Sequence, residues 1–379
     1  MEAAVNESKK KKRRIFTKVM LWLNVGAIAC LFLSYLPAHF SPDKLGYITL
    51  FGLAYPFILL ANIIFIVFWY FKVKRFMLLS ALAILIGITH LTDFFQFSLG
   101  KSKVEQREDR LEILTYNVHL FGLYDKENKA KRDEIFDILD EEEADFMCFQ
   151  EFFHSDQLGY FTTRDSIVEF TSNKYYHERY THAMNGRNYF GVALFSKYPI
   201  INKGFIPFES DVNNFCIYAD IKVKEDTIRI YNAHLQSIRF KPEDYAFVDD
   251  NRNQEELETG VRRIARRLKT AFLKRQAQVD KVAASIADCR FPVVLCGDFN
   301  DTPVSYTYES FSDLLEDSFS ECGAGVGNTY NGIFPSFRID YVMHSEAIEA
   351  LDYRTLSVDL SDHFPVVVGF RLKPEQAAQ

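Results

Sequence analysis

Three long apolar runs stand before residue 100, at about residues 15–38, 45–71 and 76–97, and they constrain this chain more than any other feature. At 1.5 Å per residue, about 20 apolar residues cross a hydrocarbon layer of ~30 Å. The third run is the shortest, its apolar core ending near Leu91. A cleaved signal peptide would account for the first run, behind the basic stretch Lys9 to Arg14, but would leave the other two unexplained. A buried soluble hairpin fits poorly with Trp22, Tyr35, Tyr47, Trp69 and Tyr70, which sit near the run ends where interfacial aromatics belong. The expectation is a basic cytoplasmic tail over residues 1–14 and a transmembrane region over residues 15–100, with the lipid bilayer as its partner.

Basic residues near the runs predict the orientation. Lys9 to Arg14 and Lys18 precede or open the first run, and Lys72, Lys74 and Arg75 join the second to the third. Both segments are therefore expected in the cytoplasm, which leaves everything after a third span outside it. Lys101, Lys103 and Arg107 argue the other way, and losing one span would reverse the result. The expected setting is a bacterial inner membrane with the C-terminal domain extracytoplasmic.

A charged linker over residues 101–107 leads into a domain over residues 108–373, followed by a tail over 374–379. Of the 44 basic and 51 acidic residues, 14 and 5 lie before residue 108, leaving 30 basic against 46 acidic beyond it. That excess of acid excludes a general polyanion-binding surface. Five of the six cysteines fall here without metal-ligand spacing, and most of them read as buried apolar thiols.

Short β-rich runs alternate with turns and helices through this domain, the pattern of an α/β or α+β fold. Candidate strands cover residues 111–116, 146–150, 191–195, 215–223, 228–233, 291–296, 339–343 and 366–372. Candidate helices cover 129–142 and 254–288, and 238–253 reads as an excursion.

Polar residues collect where these strands end, a place from which a side chain can face a cleft while its strand stays fixed in the core. Asn117 follows the first strand, and Glu151 follows the second as a fitting oxygen ligand for a hard cation. His234 ends Tyr231-Asn232-Ala233-His234, placed to donate to a phosphate oxygen. In Gly297-Asp298-Phe299-Asn300, extended backbone would turn Asp298 and Asn300 to one side, one to activate water and the other to bind transition-state oxygens. Adjacent Asp362 and His363 would point apart, suiting a metal ligand and a hydrogen-bond donor. A buried Asp340, from Arg338-Ile339-Asp340-Tyr341, would favour a cationic His363.

Taken in order, Asn117, Glu151, His234, Gly297-Asp298-Phe299-Asn300, Arg338-Ile339-Asp340-Tyr341 and Ser361-Asp362-His363 resemble the endonuclease/exonuclease/phosphatase superfamily over about residues 108–372. The resemblance implies a four-layered α/β sandwich, two packed mixed β-sheets flanked by helices. It also implies a metal-dependent hydrolase of phosphate esters that uses Mg²⁺ or Mn²⁺ for in-line attack by water. Glu151 and Asp362 would bind the metal with Asn117 steadying it. Asp298 would activate or protonate, Asn300 and His234 would contact the phosphate, and Asp340 would orient His363. Thr329-Tyr330 matches a Thr-aromatic pair of the family, and equally well a strand with a core aromatic.

On one such frame the superfamily carries nucleases, lipid phosphodiesterases and phosphomonoesterases. The foremost expectation is a nuclease-type phosphodiesterase, with a membrane-tethered lipid or small-molecule phosphodiesterase of sphingomyelinase type as the alternative. The substrate is thus nucleic acid or a phospholipid headgroup. Arg263, Arg266, Arg267 and Lys274 fall near one face of the long helix, where they either meet such a polyanion or offset Glu255, Glu256 and Glu258. A non-catalytic binding module is expected to have lost at least one of these polar residues, and none is missing.

Overall fold

A computed structural model describes residues 2–97, 109–126, 128–209, 214–240, 244, 254–332 and 337–374. Lys101, Lys103, Arg107, the linker, most of the 238–253 excursion and all of the tail but Pro374 lie outside the described residues. The chain forms two compact units, one drawn almost wholly from residues 1–93 and the other from residues 94–379.

The first unit is helical. Helix α1 (Glu2–His39) takes in the basic tail as well as the first apolar run. Helix α2 (Tyr55–Lys72) follows after short helical turns, and Lys74–Phe76 leads into α3 (Met77–Ile86). Among the described residues two helices, over Val5–His39 and Tyr55–Lys72, are long and apolar enough to cross a membrane. The expected third span is instead broken: α3 meets α4 (Ile88–Phe94) at a 70° bend, so it counts as a span only if the bent pair acts as one. The bend is at Gly87, where a Cβ would lie 2.2 Å from the Tyr35 ring. Three helices share one polar knot, in which Asn24 donates to Ser80 at 2.6 Å, Trp69 donates to Asn24 at 2.8 Å and Ser80 donates to Asn62 at 3.0 Å. A fully satisfied buried network of this kind serves as glue between helices.

The second unit is built on two six-stranded sheets. The first runs in the order β11 (Ile348–Thr355), β12 (Val366–Leu372), β1 (Leu111–Asn117), β2 (Phe146–Ser155), β4 (Asn188–Ser196) and β3 (Tyr175–Met184). The second runs β5 (Ile200–Pro207), β6 (Phe215–Val223), β7 (Asp226–His234), β8 (Val293–Asp298), β10 (Asp340–His344) and β9 (Glu316–Asp317). Each is mixed, with one parallel pair, β1 with β2 and β7 with β8. These central strands are buried almost without interruption, because both faces of each sheet are covered.

Helix α5 (Asn128–Glu142) and α6 (Thr163–Phe170) bring Ile135, Leu139 and Ile167 into a core with Leu114, Tyr116, Met147 and Phe149 of the first sheet. Helix α7 (Gln254–Ala287) buries Leu268, Phe272, Val279, Val282 and Ile286 at helical spacing. The Tyr231 hydroxyl of β7 donates to the Ser285 carbonyl at 3.0 Å. Between the sheets, Gln150 of β2 donates to Asn232 of β7 at 2.6 Å, and Asn232 donates in turn to the Phe149 and Ala193 carbonyls. This is the four-layered sandwich that the family resemblance implied. Cys148, Cys216 and Cys296 are buried in it, all six cysteines are free, and burial pushes the thiols of Cys148 and Cys216 well up.

Parallel strands deliver their C-termini to one side. Register then sets His234, Asp298 and Asp340 opposite one another on β7, β8 and β10. The close approach depends on Gly297, at φ +132°, where a Cβ would lie 2.0 Å from the Ala233 carbonyl oxygen.

Candidate active site

The carboxylate of Asp298 is the meeting point. Its Oδ2 accepts from the Asn117 amide at 3.0 Å, across from the other sheet, and from the Asn300 amide at 2.9 Å, while Oδ1 accepts from the Asn300 backbone N–H at 2.8 Å. Nε2 of His234 and Nε2 of His363 each lie 3.8 Å from Oδ2. Burial pushes the Asp298 pKa up and Asp340 adds to the rise; His363, His234 and Asn117 oppose it, and the result is about 6. Such a group is ionised at neutral pH yet close enough to it to take up a proton.

Asn300 reaches Asp298 by a route that extended backbone would not supply. At φ +56° the chain turns left-handed there, so Asp298 and Asn300 converge by folding back instead of by alternation along a strand. The Arg275 guanidinium, buried on α7, donates to the Asn300 carbonyl and lies 3.3 Å from Asp301, which holds the turn. Both hydrogens of the Asn300 amide are engaged, the second with the Leu235 carbonyl at 3.1 Å. Contact with a phosphate through that amide requires one of them to be released.

His363 donates from Nδ1 to Asp340 Oδ2 at 2.8 Å. Burial works against its charge, but Asp340 and Asp298 overcome burial and raise its pKa to about 10. The supports of this pair are explicit. Thr329 Oγ accepts from the Ile339 and Asp340 N–H groups at 3.0 Å each, and Tyr330 packs edge-on against the His363 ring at 5.4 Å. Ser361 donates to the Asn117 carbonyl at 2.8 Å and accepts from the His363 N–H at 3.2 Å.

Glu151 does not follow a strand end as the sequence pattern suggests. It lies inside β2, at a break in register between Phe149 and Phe152, with φ +49°. A bulge re-aims a side chain, and a left-handed non-glycine residue is strained. Glu151 Oε1 lies 4.0 Å from His234 Nε2. Burial raises its pKa; His119 opposes this, Asp362 adds to it, and His363 and Asn117 oppose it. The carboxylates of Glu151 and Asp362 thus press on each other, and both remain partly open to solvent, at 35% and 40% of the side chain.

His119 is the residue that sequence reasoning missed. Its Nδ1 lies 3.7 Å from Asp362 Oδ1. It stands two residues beyond Asn117, and that nearness to a polar strand end is the signal by which it could have been found. His119, Leu120, Phe121 and Gly122 all have positive φ, so the chain leaves β1 through a left-handed turn. Elsewhere, Lys197 pairs with Asp145 at 3.3 Å, and Arg338 is a buried structural residue paired with Asp317 at 2.7 Å.

A divalent cation fits this donor set. Two partly exposed carboxylates, Glu151 and Asp362, repel one another, and among the described residues His234 Nε2 and Asp340 Oδ1 are buried polar atoms with no hydrogen-bond partner. Asp298, Asp340 and His363 also bring ligand atoms within 4.8 Å of one another. There, however, Asp340 and His363 are occupied with each other and Asp298 already accepts three hydrogen bonds.

A fold of this kind with such a cleft defines a class of phosphoesterases. The model of the endonuclease/exonuclease/phosphatase family matches residues 114–363, and the chain belongs to that family. Family members are hydrolases acting on phosphate esters and generally use divalent metals. A second model, for a domain of unknown function (DUF8431), matches residues 17–94. No curated protein matches the chain. Among solved structures, an endonuclease/exonuclease/phosphatase from Beutenbergia cavernae DSM 12333 is similar at 17% identity and TM-score 0.52, covering 71% of this chain and 73% of that one. The human Nocturnin catalytic domain, with bound sulfate anion, is similar at 16% identity and TM-score 0.51, covering 71% and 97%. A Bacteroides vulgatus endonuclease/exonuclease/phosphatase is similar at 18% identity and TM-score 0.50, covering 70% and 99%. At these identities the likeness speaks for the fold alone.

Replacing Asp340 with Asn removes the carboxylate that keeps His363 charged. A reaction that needs the imidazolium is lost as pH rises through the His363 pKa. If His363 acts as that cation, kcat/KM is expected to fall above about pH 10 in the wild type and to fall already from about pH 6.5 or below in Asp340→Asn. An unmoved limb in a folded variant would show that His363 does not act as a cation held by Asp340.

Proposed function

We propose that this chain is a membrane-tethered, divalent-metal-dependent phosphodiesterase that hydrolyses its substrate by direct attack of water. The observation that carries the reading is the convergence, from strand ends, loops and the bulge in β2, of Glu151, Asp362 and Asn117 beside Asp298, Asn300, His234, Asp340 and His363. In this proposal Glu151 and Asp362 hold Mg²⁺ or Mn²⁺, and Asn117 steadies them. The bound ion supplies positive charge for phosphoryl oxygens and a lowered pKa for water. Asp298 takes the proton of the attacking water, oriented by Asn117 and Asn300. His363, held by Asp340, donates to a phosphoryl oxygen. His234, whose pKa burial lowers, turns its unpartnered Nε2 toward the same space.

The foremost substrate from sequence is nucleic acid, and one observation favours the second reading, a lipid or small phosphodiester. The basic helix is largely engaged with its own domain: Arg263 and Arg267 both pair with buried Asp244, at 2.7 and 2.9 Å, Arg262 lies 3.5 Å from Glu258, and Arg275 is buried on Asp301. Charges neutralised in this way add little to the attraction of a polyanion.

Full-length protein in detergent, given Mg²⁺ or Mn²⁺, is expected to cleave one class among single-stranded DNA, RNA, sphingomyelin vesicles and an aryl phosphodiester. Glu151→Gln and His363→Ala should each lose at least about 10²-fold in rate. Absence of metal-dependent turnover on every ester, with the protein folded and metal bound, would favour a binding module.

Outward-facing apolar side chains on the N-terminal helices, among them Trp22 at 74% and Phe71 at 76% exposure, support a lipid environment. With the bent pair α3–α4 as a third span and Lys72, Lys74 and Arg75 inside, the catalytic domain is extracytoplasmic. A reporter active only outside the cytoplasm, fused after Arg107, is expected to be active. A cytoplasmic signal at that point would reverse the topology.

A further inference from the structure

Strand β10 has Asp340 at one end and His344 at the other, and the second end carries its own cluster. His344 is the register partner of Glu316 on the two-residue edge strand β9. The chain passes directly from β9 into helix α8 (Ser318–Cys322), whose first turn is capped by Asp317 Oδ1 accepting from the Phe319 N–H at 3.0 Å. Because Asp317 also pairs with buried Arg338, the turn is fixed, and it brings Glu321 back beside His344. The Ala350 N–H of β11 donates to Glu321 Oε2 at 3.3 Å and orients that carboxylate.

The hydrogen bonding of the His344 ring is informative. Nδ1 meets the Ser345 carbonyl at 3.1 Å, and a carbonyl only accepts, so Nδ1 carries a proton. Nε2 of the neutral ring then presents a lone pair. The side chain is only 2% exposed, and among the described residues Nε2 has no well-directed hydrogen bond, its contact with Glu321 Oε2 being an ion pair at 3.3 Å. Ligand atoms of Glu316, Glu321 and His344 all lie within 4.8 Å of one another. Two ligands of a tetrahedral Zn²⁺ at about 2.0 Å stand about 3.3 Å apart, so the His344–Glu321 pair already has that span.

We propose that Glu316, Glu321 and His344 form a second cation site, separate from the phosphoester site, that takes a borderline transition ion of the Zn²⁺ class and clamps edge strand β9 to β10. Imidazole in the donor set selects against Mg²⁺ and Ca²⁺, which prefer oxygen alone. The contrary account is a protonated His344 that simply pairs with the carboxylates.

Zinc titration separates the two accounts. The full chain in detergent, with metal removed by chelator and then dialysed, is titrated with Zn²⁺ in excess Mg²⁺ by calorimetry and thermal melting. Glu151→Gln serves as the background, to weaken binding at the catalytic cleft, and the site is read from the difference that Glu316→Gln makes. About one Zn²⁺ per chain and a raised Tm are expected in that background. Adding Glu316→Gln, a change at an exposed residue, should weaken binding at least about tenfold and abolish the Tm rise. Glu316→Gln alone should leave Mg²⁺-dependent hydrolysis unchanged. If the background binds no zinc, or binds it equally with and without Glu316→Gln, the ion pair stands and the site does not.

Discussion

The buried carboxylate of Asp298 is the interaction on which the rest of this domain turns. It sits between the sheets, takes hydrogen bonds from Asn117 on one and from Asn300 beyond the other, and faces two imidazoles. A buried charge is tolerated only when its lone pairs are met, so the two strand ends and the loop after β8 are drawn to one point. The same demand explains the placement of Gly297, which lets β8 approach β7 closely enough for His234, Asp298 and Asp340 to stand in one row.

Below this row the sandwich is held by a second polar bridge, Gln150 to Asn232, so the sheets are joined by directional contacts as well as by apolar packing. Directional contacts specify one register, and a slip of one residue would turn the candidate site's strand-borne side chains to the opposite face. The strain at Glu151 and Asn300, both left-handed, is located where side chains must be re-aimed into the cleft. Strained backbone persists only where surrounding structure over-determines it, and here that structure is the buried centre of both sheets.

The central strands were legible because they are buried on both faces and read as continuous apolar runs. The strands that escaped sequence reasoning, β3, β5, β9 and β11, are the edges of the two sheets. An edge strand exposes one side and carries charge there, as in Tyr175–Met184 and Ile200–Pro207, so its apolar pattern is broken. In the candidate site, the residues at strand ends were visible, whereas the bulge at Glu151, the left-handed turn at Asn300 and the approach of His119 to Asp362 were not. Each of those depends on backbone that departs from regular structure, which periodicity does not encode. The third apolar run shows the same limit, since Gly87 gives no sign in the sequence that it accommodates the Tyr35 ring.

In the proposed mechanism Glu151 and Asp362 bind the cation while Asp298 transfers the proton, and Mn²⁺ binding measured by electron paramagnetic resonance tests that separation most directly. In full-length protein, Asp298→Asn is predicted to bind Mn²⁺ within about twofold of wild type while hydrolysis falls at least about 10²-fold. Loss of Mn²⁺ affinity in Asp298→Asn, equal to the loss in Glu151→Gln, would contradict the account and put the ion among Asp298, Asp340 and His363.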